Sequence, residues 1–439
     1  MRPHRSGGAR LGDARTHLGR ERAPRGGDRR RAPRRGGARG GGAVTVSIKV
    51  GLVTGQYPPQ VGGVGQSAQR VALLLAAAGM SVDVLVLERH PQPIPFDEAL
   101  ATAREGEVRV HRVKVFRPAP GAGEAAEEAE ALTQYNREMF QALDHLQARE
   151  RYDVLHGFFL YPGGYIAALV ARTHGIPAIV SIRGNDVGKY AFDPHRLPFV
   201  RAALELSSAV TSVASSLTRI ADRTLVPIAG KATTILNSVE PGSRAIGARP
   251  PLPLNGIVVG SAGLFRYKKG LVYLFKALAG LDGRFEYTLL LAGDYFREED
   301  RDPHVDDLRR FGLERRLVFT GKIPPERMPD YLRLFDVLVF PSLFSEGCPR
   351  VLLEAMAVGR AVVGSRAGAI PEVIRHGENG LLVTPGSAEE VAAALTALAT
   401  DPALRHRLGA AAIETAAAMT PERERDEWLS VYGSVGVAP

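Results

Sequence analysis

Cysteine is almost missing from these 439 residues. Cys348 stands alone, so no intrachain disulfide can form and nothing supports an oxidising compartment. Long apolar runs are missing as well: no uninterrupted stretch approaches the ~18 residues that span a bilayer, and the N-terminus lacks the apolar segment of a secretory signal. A cytoplasmic protein is expected. Lysine is absent from residues 1–43, which carry thirteen Arg against only Asp13, Glu21 and Asp28. That leader has a net charge of +10 in a chain of +9, so the remaining body carries −1 and its charge gives no reason to expect nucleic-acid binding.

The Arg/Gly/Pro-rich composition of residues 1–43 cannot bury a core, and the segment is expected to be disordered. It has no aromatic residue to stack on bases, which weakens an RNA-binding reading. Ser6 is its only serine, which weakens a transit-peptide reading. The favoured expectation is a nonfunctional tail from a start assigned too far upstream, with the start near Val44 or Val46.

The body has 45% apolar and 23% charged residues, enough to bury two ordinary cores at this length. Short β-branched runs alternate with helix-length stretches, the pattern of parallel sheets covered by helices on both faces. Strands are predicted at 48–53, 82–87, 153–156, 178–182, 210–213 and 233–236. A half-exposed strand with Val108, Val110, Val113 and Val115 is placed toward an edge. A Pro-rich linker is predicted over 240–255, separating a first Rossmann-like domain (44–239) from a second (256–419). Strands of the second are predicted at 256–261, 287–292, 317–320, 337–340, 361–364 and 381–383. Thr420 and Pro421 open a final helix over 420–439, which the only tryptophan, Trp428, is expected to anchor on the first domain. Two doubly wound α/β sheets facing a cleft would place the chemistry in loops at the carboxyl ends of their strands.

Three such loops stand out. Gly55 to Gly65 leaves the first strand and enters a helix, so its glycines allow backbone N–H groups to approach an anion or simply make a tight turn. It carries neither a dinucleotide fingerprint nor a phosphate-loop Lys-Ser/Thr signature, which argues against a nicotinamide enzyme and a P-loop ATPase. In the second half, Arg266, Lys268 and Lys269 crowd a loop where a diphosphate leaving group would need neutralising. Further on, Glu346-Gly347-Cys348-Pro349-Arg350 leads into a helix that carries Glu354 and ends at Gly359. Two carboxylates at different heights of one wall suit two hydroxyl-bearing parts of a long ligand, with a phosphate at the helix start between them.

The spacing of Glu346 and Glu354, in a segment of the type Pro-Ser…Glu-Gly-x-Pro-x-Val-Leu-Leu-Glu-Ala-Met-Ala-x-Gly, resembles the donor motif of the retaining GT-B glycosyltransferases of family 4. Landmarks at Tyr57-Pro58-Pro59, Asn237-Ser238-Val239-Glu240, Val318-Phe319-Thr320-Gly321 and Gly364 to Glu372 extend the resemblance from Val50 to about Val431. It implies that Glu354 binds the ribose hydroxyls, Glu346 faces the donor sugar and Lys269 binds the diphosphate. Lys322 and Ile323 would meet the base, while Gly63 would approach the distal phosphate. Gly347, Cys348, Pro349 and Arg350 would complete the donor site. It further implies retention of anomeric configuration, no metal, and no cofactor, the sugar nucleotide being a substrate.

Two positions depart from the family pattern. Leu264 follows Gly263 where relatives carry Arg, and Arg266 is expected to supply that cation. Phe158 replaces the second histidine of a His-x-His, leaving His156 as candidate catalytic histidine or as a structural one. Arg183, Asn185 and Asp186 resemble an acceptor-side loop with Arg in place of His. The acceptor therefore stays open among glycans, lipid-linked compounds and small molecules, and a lipid-linked one would bring the protein to the inner membrane face. A sugar-nucleotide epimerase and a catalytically weakened binding protein are the rival readings. Asp300-Arg301-Asp302 has the form of a metal-binding Asp-x-Asp, but its polar surroundings predict a solvated loop.

Overall fold

A computed structural model describes residues 47–60, 62–118, 125–240, 247–344 and 346–438. The leader of 1–43 and residues 241–246 of the expected linker lie outside the described residues. The first sheet contains β1 (Lys49–Thr54), β2 (Ser81–His90), β3 (Leu100–Glu105), β4 (Val108–Phe116), β5 (Val154–Phe158), β6 (Ala178–Ile182), β7 (Ala209–Ser212) and β8 (Ala232–Thr234). Their spatial order is β3-β4-β2-β1-β5-β6-β7-β8. Val50 of β1 pairs in parallel with Val82 on one side and Val154 on the other. Burial on both faces explains the unbroken Val/Ile/Leu runs.

The second sheet contains β9 (Ile257–Phe265), β10 (Tyr287–Tyr295), β11 (Leu317–Phe319), β12 (Val337–Phe340), β13 (Ala361–Ser365) and β14 (Leu381–Val383). All its pairings are parallel, in the order β11-β10-β9-β12-β13-β14. Each sheet thus reverses its direction of growth at the strand that opens it, β1 or β9. Crevices at such reversals, beyond the carboxyl ends of the strands, are where doubly wound folds bind ligands. They fall at Gly55 and at Arg266, inside two of the loops singled out above.

Two features differ from expectation. β3 was not anticipated: it pairs antiparallel with β4, Thr102 opposite His111, and occupies the edge that β4 was expected to approach. β9 and β10 also run further than predicted, pairing through Gly263 with Gly293. Gly293 has φ +143, and a Cβ there would lie 1.9 Å from the Gly263 carbonyl oxygen. Only glycine fits, so the cleft floor at this point is bare backbone.

The terminal helix Pro421–Ser434 begins at Thr420, whose side chain accepts from the Arg423 N–H at 3.2 Å. Trp428 and Tyr432 are fully buried in a cluster with Val50, Val71 and Ile179 of the first domain. The last helix therefore returns to the domain in which the described chain begins.

Candidate active site

The two switch points open into one cleft of about 1880 Å³ whose lining includes the Gly55–Gly65 loop region, the 266–269 loop and the 346–354 segment. Glu346 is its most constrained acid. Only 5% exposed, it lies 3.2 Å from Lys269 Nζ and 3.8 Å from Lys268 Nζ through Oε1, which also accepts from Ser342 Oγ at 3.3 Å. Burial alone would raise its pKa, but Lys269 and Lys268 outweigh burial and hold the carboxyl below its ordinary value. Lys268 pays the opposite cost: burial, with help from Arg266 and Lys269, brings its pKa down to about 8 although Glu346 opposes this. Arg266 lies over the Phe296 ring, its guanidinium carbon 4.5 Å from the centroid, and its buried Nε has no hydrogen-bond partner. These groups line the same cleft, so the structure brings Arg266, Lys269 and Glu346 together.

Beyond Glu346 the chain passes through Gly347 and Cys348 into the helix Arg350–Ala357, with Pro349 as its N-cap. No side chain caps this helix, and Pro349, Arg350 and Val351 border the cleft. Glu354 borders it too, with one oxygen accepting from Arg350 Nη2 at 3.3 Å across a single turn. Burial raises its pKa, and Arg350 only partly offsets that. Cys348 is also buried, and burial pushes its thiol up to about 11, so it is no nucleophile at neutral pH. Lys322 and Ile323 follow β11 on the same wall.

The facing wall is built on the helix Gly63–Ala77. Gly63, Gln66, Ser67, Arg70 and Leu74 border the cleft at helical spacing, so one face of this helix lies along it. Arg70 was not anticipated as a site residue. Its Nε and Nη2 donate to the two Glu424 oxygens at 2.9 and 3.0 Å, and Nη2 also donates to Asn237 Oδ1 at 2.8 Å. Its Nη1 is buried without a partner. Asn237 Nδ2 in turn donates to the Cys348 carbonyl at 2.6 Å, which ties the terminal helix, the first domain and the donor-side loop into one network. Its spacing of seven residues from Gly63 was the available signal, since two helical turns return a side chain to the same face.

Arg183 borders the cleft at this junction. Its guanidinium carbon lies 4.6 Å from the Phe158 ring centroid, and its Nη2 donates to Asn237 Oδ1 at 3.1 Å. Burial and the neighbouring Arg70 lower its pKa to about 10. Asn185 borders the cleft. Asp186 does not: it is fully buried and accepts from the backbone N–H groups of Gly184, Arg183, Val187 and Leu160. It shapes the loop from behind. Burial raises its pKa against the pull of those four donors.

His156, open above as a catalytic or a structural histidine, falls outside the cleft lining. It is fully buried; Nδ1 is bonded to Tyr432 Oη at 2.9 Å and Nε2 to Ser181 Oγ at 2.8 Å, leaving neither ring nitrogen for a substrate. Burial, then Arg183, brings its pKa down to about 3. Along β5, His156 and Phe158 share one face by the two-residue repeat, and that face packs under Trp428. Asp300 and Asp302 lie at the start of the helix Arg301–Arg310 instead of in a loop. Among the described residues no three His, Cys, Asp or Glu side chains cluster as a metal site.

Known proteins provide an independent comparison. The family described as Glycosyl transferases group 1 matches residues 256–401, and that described as Glycosyl transferase 4-like domain matches residues 62–237. The chain is 26% identical over 380 residues to N-acetyl-alpha-D-glucosaminyl L-malate synthase of Bacillus anthracis, covering 84% of this chain and 92% of that protein. Sucrose-phosphate synthase from Thermosynechococcus elongatus superimposes with a TM-score of 0.72 at 22% identity, covering 89% of this chain and 99% of that one. Anabaena Alr3699/HepE in complex with UDP-glucose gives 0.65 at 18%, with coverages of 89% and 99%. At these identities the two structures establish the fold. Among the described residues no helix is long and apolar enough to cross a membrane.

Proposed function

Because this chain belongs to the group 1 glycosyltransferases and has their two-domain GT-B fold, we propose that it transfers a hexose-type sugar from a nucleoside-diphosphate sugar to a hydroxyl-bearing acceptor. The observation that carries this reading is the cationic cluster of Lys268, Lys269 and Arg266 around the buried Glu346, one helix start away from Glu354. The diphosphate would lie against these cations and the uncapped start of the helix Arg350–Ala357, with ribose hydroxyls at Glu354 and sugar hydroxyls at Glu346. UDP-glucose in the Anabaena relative supports a donor of this class.

In the proposed reaction the bond from the anomeric carbon to the diphosphate oxygen breaks as the acceptor oxygen bonds to the same face. The acceptor proton passes to the departing phosphate oxygen, so configuration is retained. Charge developing on that phosphate is met by ammonium and guanidinium groups already fixed in place, which is the arrangement that lowers such barriers. These side chains supply the positive charge that a divalent cation gives elsewhere, and we propose that the reaction needs no metal. The acceptor is a glycan, a lipid-linked compound or a small molecule, and a lipid-linked one would place the enzyme at a membrane face.

The test is incubation of UDP-, GDP- and ADP-hexoses with an acceptor panel in EDTA, with the anomeric configuration of any product read by NMR. A retained product formed in EDTA is expected. An inverted product, or activity that returns only with a divalent cation, would overturn the corresponding part. Conversion of donor alone into an epimer would replace transfer by isomerisation.

A further inference from the structure

One part of the cleft carries a charge excess that the donor site does not explain. Arg89 stands near the carboxyl end of β2 and Arg117 just past that of β4, where its N–H donates to the His90 carbonyl at 2.9 Å. Lys189 and Arg196 come from the loop after β6. All four border the cleft that also holds Glu346 and Glu354. Their counter-charge is thin. Glu128 is shared between Arg117 at 3.6 Å and Arg196 at 3.1 Å, and Asp193 pairs with Arg196. Among the described residues no carboxylate lies within ion-pair distance of Arg89 or Lys189.

Tyr135 fixes the geometry. Its buried ring has the guanidinium carbons of Arg89 and Arg117 at 5.8 and 5.6 Å from its centroid, so two like charges are held around one ring. Burial, followed by repulsion from Arg89, lowers the pKa of Arg117. An arrangement that holds two guanidinium groups around one ring, with Glu128 paired to only one of them, is relieved by an anion, and guanidinium forks match carboxylate and phosphate oxygens in a bidentate way. A solvated basic surface would spread its cations instead of converging two of them on one buried aromatic ring.

Resting on the transferase reading above, we propose that the acceptor carries a carboxylate or phosphate group, which Arg89 and Arg117 bind beside Tyr135 while its hydroxyl is presented to the donor sugar. The acceptor class is thus an anionic polyol, hydroxy acid or sugar phosphate, whether free or as a lipid headgroup.

Matched pairs test this in the presence of whichever nucleoside diphosphate stabilises the protein. Glucose 6-phosphate is compared with glucose, glycerate with glycerol, and phosphatidylglycerol vesicles with phosphatidylcholine vesicles, with binding read by calorimetry or vesicle sedimentation. At least one anionic member should bind at least tenfold more tightly than its neutral partner, and the preference should weaken with salt. Response of the soluble pairs or of the vesicles identifies the source of the anion, and either upholds the proposal. Arg89→Gln/Arg117→Gln should remove at least tenfold of that preference while the nucleotide still raises the melting temperature, showing that fold and donor half are intact. Equal binding within every pair, or a preference that survives the double substitution, overturns the proposal. Failure of every nucleotide to stabilise the wild-type protein would instead strike the transferase reading.

Discussion

Replacing Lys269 by alanine removes the cation nearest to Glu346, at 3.2 and 3.3 Å from its two oxygens. A diphosphate oxygen about 4 Å from that ammonium would gain ~4 kcal/mol per unit charge at an effective dielectric constant near 20. Only part of a unit charge develops in the transition state, and Lys268 and Arg266 remain, so the net loss should be between about 2 and 4 kcal/mol. That corresponds to a fall of roughly 30- to 1000-fold in kcat/KM for the donor. The fold should survive, because Glu346 keeps Lys268 at 3.8 Å and the Ser342 hydroxyl at 3.3 Å. Steady-state donor kinetics beside a melting curve separate the two effects. A folded Lys269→Ala enzyme within threefold of wild type would refute the assignment of this ammonium to the diphosphate.

Lys268, with a pKa near 8, is protonated below that value and neutral above it, so kcat/KM should decline as pH rises through about 8; a pH profile in which Lys268→Arg leaves this limb in place would contradict that. His156→Phe should leave the Tyr432 hydroxyl buried without its partner and lower stability by about 1–3 kcal/mol in urea titrations, yet keep kcat within a few fold. A loss of kcat beyond a hundredfold in a stable variant would restore a catalytic role. Glu354→Gln should raise donor KM by about tenfold to a hundredfold, the worth of about 1.4–2.7 kcal/mol in ribose hydrogen bonds, and calorimetry showing unchanged donor affinity would exclude ribose contact.

The donor wall was legible because its residues are contiguous: Glu346 to Glu354 spans one loop and one helix, so local spacing already encodes their relative height. The buried strands were legible for a similar reason, since burial on both faces leaves unbroken apolar runs such as Val337–Phe340. β3 escaped because Leu100–Glu105 is an exposed edge, where Thr102 and Arg104 give no apolar alternation. Arg70 escaped because its partner Glu424 is 354 residues away and is brought to it only by the returning terminal helix. The cluster of Arg89, Arg117, Lys189 and Arg196 escaped likewise, its members being ordinary cations from three separate segments of the chain. His156 shows the converse limit: its strand-end position left a catalytic and a structural reading both open, because its surroundings depend on Trp428 and Tyr432 from the far end of the chain.

The central claim is that this cleft holds a nucleoside-diphosphate hexose, and a thermal-shift titration with UDP-, GDP- and ADP-hexoses tests it most directly. A ligand that binds only the native state at a hundredfold excess over its Kd adds about 2.7 kcal/mol of stability. One of the three donors should therefore raise the melting temperature by several degrees, with free hexose giving no shift and Lys269→Ala and Glu354→Gln reducing the response. No shift with any donor, or a shift that both variants retain in full, would contradict the account.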